Sequence, residues 1–136
     1  MKNNFKFFLA ILSVAFILTS CKKYDEGPAF SLMTKKARIS GEWRVEQEIS
    51  SSGDVQLVQS QEVLVINKSG SFEIVDDFKT EIIGTWDFIK DKEYVAFTYK
   101  DDEGVNNIVE YKIIRLKSRE LWLKDDQGKQ YNYVPA

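Results

Sequence analysis

The sequence predicts an all-β fold, an eight-stranded antiparallel up-and-down barrel preceded by a short N-terminal helix. Three observations lead there. Apolar and polar residues alternate with a period of two through most of the chain after residue 40. Turn signals rich in Gly and Asp return every ~8 to 12 residues. The connections between them are short enough to join antiparallel neighbours. The period is clearest at 39–49, where Trp43, Val45, Gln47 and Ile49 alternate with Glu42, Arg44, Glu46 and Glu48. One face of that strand belongs in a core and the other in water.

The chain begins with an address. Lys2 and Lys6 flank the start of an apolar run from Phe7 to Leu18, broken only by Ser13 and free of acids. The run falls short of the ~20 residues that cross a bilayer, so residues 1–20 read as an export signal. It ends in Leu18-Thr19-Ser20-Cys21, which resembles the lipobox of bacterial lipoproteins. That resemblance implies cleavage before Cys21 and acylation of its thiol, and hence a membrane partner reached through a lipid anchor on Cys21 and a place at the outer membrane. The plain alternative is a buried free thiol. Cys21 is the sole cysteine, so no disulfide forms within one chain. Residues 21–29 mix charges with Gly27 and Pro28 and read as a flexible tether.

Residues 30–136 form the predicted domain. Phe30, Met33 and Ala37 stand at helical spacing with Leu32 beside them and Ser31 or Thr34 as caps, a short helix expected to plug one end of the sheet. The first strand spans 40–49. Its Gly41-Glu42-Trp43 opening suggests a close backbone approach where the indole turns inward. The polar stretch 50–61 is either a lid-like binding loop or a frayed strand pair. Strands follow at 62–67, 71–75, 81–89, 93–100, 107–116, 120–124 and 130–134, separated by turns such as Asp101-Asp102-Glu103-Gly104 and Asp125-Asp126-Gln127-Gly128. A meander of this kind leaves two raw edges unless it closes, and closure into a barrel removes both.

Alternation assigns the inward set. It runs Trp43, Val45, Ile49, Leu64, Ile66, Phe72, Ile74, Trp86, Phe88, Val95, Phe97, Tyr99, Val109, Tyr111, Ile113, Leu121, Leu123, Tyr131 and Tyr133. Val63, Val65, Ile83, Ile89 and Trp122 fall outside, where the N-terminal helix or a partner is expected to cover some of them.

Composition excludes several functions. Without the signal, 17 basic residues face 21 acids, a net charge of −4 with no basic cluster, which argues against nucleic acid. The chain has no histidine, and its one thiol is assigned to the lipid, so the usual general base, nucleophile and zinc ligands are missing. No catalytic residue, metal site or cofactor is expected. The acid pairs Asp76-Asp77, Asp101-Asp102 and Asp125-Asp126 fit hairpin chemistry better than calcium loops.

The strands then bear a resemblance. Gly41-Glu42-Trp43 after a helical turn, a long first connection and a β meander resemble the lipocalin superfamily. More closely, Gly84-Thr85-Trp86 and Glu120-Leu121-Trp122-Leu123 ahead of Asp126-Gln127-Gly128 are similar to the lipocalin-like domain family of small Gram-negative bacterial lipoproteins. The chain lacks a Thr-Asp-Tyr motif and a late-strand Arg to stack on Trp43. The resemblance implies an eight-stranded barrel and an apolar ligand. Candidate ligand-binding residues are Trp43, Trp86, Phe88, Phe97, Tyr99, Tyr111, Tyr131 and Tyr133. Two readings stay open: a hollow, monomeric barrel holding a small hydrophobic ligand, marked by a cavity of about 300 Å³ or more, and a barrel filled by its own rings that meets an envelope protein partner.

Overall fold

The computed structural model describes residues 32–136. The expected signal, Cys21 and the tether lie outside the described residues. Helix α1 spans Lys35–Ile39, with Thr34 as its N-cap accepting a bond from the Ala37 amide at 3.1 Å. Nine strands follow: β1 Gly41–Ile49, β2 Val55–Leu57, β3 Val63–Ile66, β4 Ser71–Asp76, β5 Lys79–Ile89, β6 Tyr94–Lys100, β7 Asn106–Lys117, β8 Glu120–Lys124 and β9 Gln130–Pro135.

Every pairing is antiparallel, and β1 also pairs with β9, from Trp43 opposite Pro135 to Ile49 opposite Gln130. That seam closes the meander of β1 and β3–β9 into the expected eight-stranded barrel. Asn132 sits buried on the seam, donating to Gln47 Oε1 at 3.2 Å while its own oxygen accepts from Gln130 at 2.8 Å.

The ninth strand resolves the polar stretch 50–61 as the frayed strand pair and not as a lid. β2 lies along β1 from Gln47 opposite Leu57 to Ile49 opposite Val55, and β3 takes up the same edge from Trp43 opposite Leu64. Seven residues separate Leu57 from Leu64 where four separate Trp43 from Gln47. The excess of three is extruded at 59–61, so β2 and β3 act as one interrupted stave.

Two bulges correct the inward set. Between Val45 and Gln47 of β1 the register slips, so Glu48 comes opposite Tyr131 while Ile49 passes to the outer face with Gln130. Between Ile113 and Arg115 of β7 a second slip sends Leu116, fully buried, inward and Arg115 outward. There the guanidinium stacks 3.9 Å over the ring of Trp122 and bonds Glu120 at 3.2 Å. The other fully or nearly buried apolar strand residues, from Trp43 to Leu123, are those that alternation chose. Ile83, expected outside, is 67% exposed and left uncovered by α1.

The two ends of the barrel differ. At the base, α1 packs against β7, and the Arg38 guanidinium donates to the Leu116 carbonyl at 3.2 Å. Ile39, Trp43, Ile66, Trp86, Val95, Leu116 and Leu121 fill the space above it. At the mouth lie the turns 50–54, 77–78, 101–105 and 125–129. Asp101 and Asp125 each accept backbone amides within their own turns, at 2.9 to 3.1 Å, which is the hairpin role read from the sequence.

Candidate functional site

Between the packed base and the mouth the barrel is not filled. A cavity of about 140 Å³ remains, lined by Val45, Glu62, Leu64, Phe72, Ile74, Ile82, Phe97, Tyr99, Val109, Tyr111, Leu123 and Tyr133. It exists because the largest rings are unevenly placed along the axis: both inward indoles go to the base, and the cavity level receives aliphatic side chains, two phenylalanines, three phenols and Glu62.

Of the eight candidate rings, four line the cavity: Phe97, Tyr99, Tyr111 and Tyr133. The other four do not. Trp43 donates from its indole nitrogen to the Ile39 carbonyl at 2.8 Å, and Trp86 to the Asn67 carbonyl at 2.8 Å, so both are locked into the base. Phe88 stands edge-on to Trp86 with ring centres 5.4 Å apart. Tyr131 packs edge-on to Tyr111 at 6.1 Å, and its hydroxyl reaches Asp125 at 3.3 Å on the rim.

Glu62 and Ile82 belong to the site but were absent from the sequence-based set. Each could have been found by continuing the alternation outward, Glu62 two residues before Leu64 and Ile82 two before Gly84. A charged residue at an inward position is the kind of rule-breaking that marks a mouth.

The polar character of the cavity comes from its phenols. Burial is the first cause that pushes the Tyr111 hydroxyl up to about 12, with Tyr131 and Asp125 adding to it. Tyr133 is raised further, again by burial first and then by Tyr111, Tyr131 and Glu62. Among the described residues no hydrogen bond reaches the Tyr99, Tyr111 or Tyr133 hydroxyl, whereas the neighbouring Tyr131 has Asp125. All three tyrosines are half-buried and line the open cavity, so a ligand offering a polar atom there can take a hydrogen bond that no protein group occupies. Glu62, exposed and at the solvent end, adds negative charge beside the phenols. Among the described residues no group of three or more Asp, Glu, His or Cys is placed to hold a metal.

These shifts carry a pH signature. The ordinary tyrosine value is 10.0. Unfolded chains therefore release the phenolic protons near pH 10, while the folded barrel retains them until about 12 at Tyr111 and beyond that at Tyr133. Stability from these groups is fully present below pH 10 and is lost as the pH rises through that window. Near-ultraviolet phenolate absorbance should show Tyr111 and Tyr133 titrating late, together with unfolding, with Tyr131 shifted in the same direction. Tyr111→Phe and Tyr133→Phe should remove the late steps, and normal titration of all six tyrosines would contradict the buried placement.

The closed eight-stranded meander, plugged by a helix at one end and open at the other, is a lipocalin-like barrel. The sequence matches no family model and no curated protein. Among solved structures, the chain is similar to a lipocalin-like protein from Bacteroides uniformis, with a TM-score of 0.58 at 17% identity, covering 73% of this chain and 99% of that one. It is also similar to an uncharacterized protein from Bacteroides eggerthii, with a TM-score of 0.55 at 15% identity over 71% and 98% of the two chains. At these identities the likeness establishes the fold.

Proposed function

We propose that the protein is a membrane-anchored lipocalin-like lipoprotein that binds a small hydrophobic molecule in the mouth half of its barrel. The observation that carries the reading is the 140 Å³ cavity, apolar except at the phenols and Glu62. Its volume is under half of the about 300 Å³ expected of a hollow barrel, so that expectation is not met and only a ligand smaller than drug size is consistent with the space left. It is close to the ~150 Å³ apolar cavity that takes one benzene ring. The ligand class is therefore a single ring or a short branched chain with one hydrogen-bonding group, the ring against Phe97, Ile74 and Val109 and the polar atom at Tyr133. A long acyl chain does not fit this volume.

The test uses p-cresol, which carries one ring and one hydroxyl. At a hundredfold excess over its dissociation constant, p-cresol should raise the unfolding free energy by about 2.7 kcal/mol. Val109→Phe fills the cavity and should abolish that shift while the barrel stays folded. Tyr133→Phe should weaken p-cresol more than toluene. If p-cresol, toluene and benzene all leave the melting temperature unchanged, the barrel is a filled scaffold.

The anchor rests on Leu18-Thr19-Ser20-Cys21. The native protein should partition into the detergent phase on cloud-point extraction. A Cys21→Ser chain, exported behind a leader whose removal needs no cysteine, should stay in the aqueous phase. Equal partitioning of the two would remove the lipid from the proposal and leave the cavity untouched.

A further inference from the structure

The two ends of the barrel carry opposite charge. The turns at the mouth, 50–54, 77–78, 101–105 and 125–129, include seven carboxylates and one lysine. Residues 32–40, 67–70, 90–93 and 118–119 at the base include seven lysines and arginines and two acids. The near-zero total of the chain hides this separation, because the strands themselves are mixed. Lys36, Lys68 and Arg119 are exposed on three different base segments, so the positive charge covers the end instead of following one edge.

The same end receives the tether. The chain enters α1 through Leu32 and Met33, both exposed apolar side chains at 108% and 45%. Ten residues stand between Cys21 and Leu32, a reach of about 40 Å at full extension. An exposed apolar pair on the same end as these cations, at the point where the lipid-bearing segment joins, is chemically matched to an anionic headgroup surface.

We propose that the base is a docking surface for anionic phospholipid headgroups, and that it holds the barrel upright on the membrane with its mouth toward water. The inference rests on the anchored reading for what delivers the base to the bilayer, but the charge match is independent of the lipid. The competing pose would turn the mouth to the membrane through the exposed Phe78 and Val105 on its hairpins. It would press Asp77, Asp101, Asp102 and Glu103 against like charge.

Two measurements test this. The first mixes the exported Cys21→Ser chain with vesicles of phosphatidylcholine alone or with added phosphatidylglycerol. Adsorption should be about tenfold stronger on the anionic vesicles, fall as salt is raised, and return to the neutral baseline in the folded triple variant Lys36→Glu, Lys68→Glu, Arg119→Glu. Because this arm contains no lipidated cysteine, it reads the surface whether or not Cys21 is acylated. The second places a fluorophore on Ser69→Cys or on Asp102→Cys in the anchored protein, in vesicles holding a headgroup quencher. The label at 69 should be quenched and the label at 102 should not. Equal adsorption to both vesicle types, or quenching at 102 in preference to 69, would overturn the proposal.

Discussion

Trp43→Ala should lower the unfolding free energy by about 3–5 kcal/mol, the range for deleting a large buried ring from a core that cannot collapse around the loss. Trp43 is 2% exposed and belongs to the buried cluster that includes Ile39 at the end of α1. The ring also ties two elements together, since its nitrogen donates to the carbonyl of Ile39, itself fully buried at the end of α1. Removing the indole therefore leaves that carbonyl without its partner as well as leaving a hole. Trp43→Phe separates the two effects: it retains most of the volume and should cost about 1–3 kcal/mol, chiefly the orphaned carbonyl. Urea denaturation with an unchanged m-value is the measurement. A loss below 1 kcal/mol for Trp43→Ala would mean that the base is not the core of this barrel.

Trp43 also shows why so much of the fold could be read beforehand. Its strand has one wet face and one dry face, and each one-residue step along it reverses the side chain, so alternation reports burial directly. Closure followed from the need to remove two edges and not from any one motif. What escaped the reading were events that leave composition unchanged. A bulge is one extra residue whose signature is a phase shift, and Glu46 and Ile114 are those residues, legible only once the partner strands are known. The extrusion at 59–61 is invisible for the same reason, since Val55 and Leu57 look like stray apolar residues until Ile49 and Gln47 appear opposite them.

The candidate site was half legible because inward-facing and cavity-lining are different properties. Trp43, Trp86 and Phe88 face inward but sit at the level where the helix caps the barrel, so they are consumed in packing. Phe97, Tyr99, Tyr111 and Tyr133 face inward at a level where their neighbours are Ile74, Ile82 and Val109, too small to meet across the axis. Height along the barrel depends on the stagger between strands, which the sequence does not display.

Gly84→Ala should cost about 3 kcal/mol or prevent folding, although it adds a single methyl. Gly84 was singled out with Thr85 and Trp86 as a second Gly-x-Trp, and its role differs from that of Gly41. A Cβ at Gly41 would meet only the Trp43 indole at 3.7 Å, an ordinary contact, and glycine there answers to a φ of +153°. A Cβ at Gly84 would stand 2.1 Å from the Thr98 carbonyl oxygen and 2.5 Å from the Phe72 ring. The close backbone approach expected at the first Gly-x-Trp is therefore found at the second. The ring could swing aside; the Thr98 carbonyl is part of the ladder between β5 and β6, where Thr85 faces Thr98 and Trp86 faces Phe97. Relieving the clash moves that ladder, and with it Phe97, which packs edge-on to Phe72 at 4.9 Å and forms one wall of the cavity. The double variant Gly84→Ala, Phe72→Leu tells the two obstacles apart. It should remain as unstable as the single change if the carbonyl is the obstacle, and recovery to near wild-type stability would mean that the ring alone demanded glycine. Where Gly84→Ala still folds at low temperature, it should also lose p-cresol binding, because the displaced strand pair carries Phe97 and Tyr99 away from Tyr133.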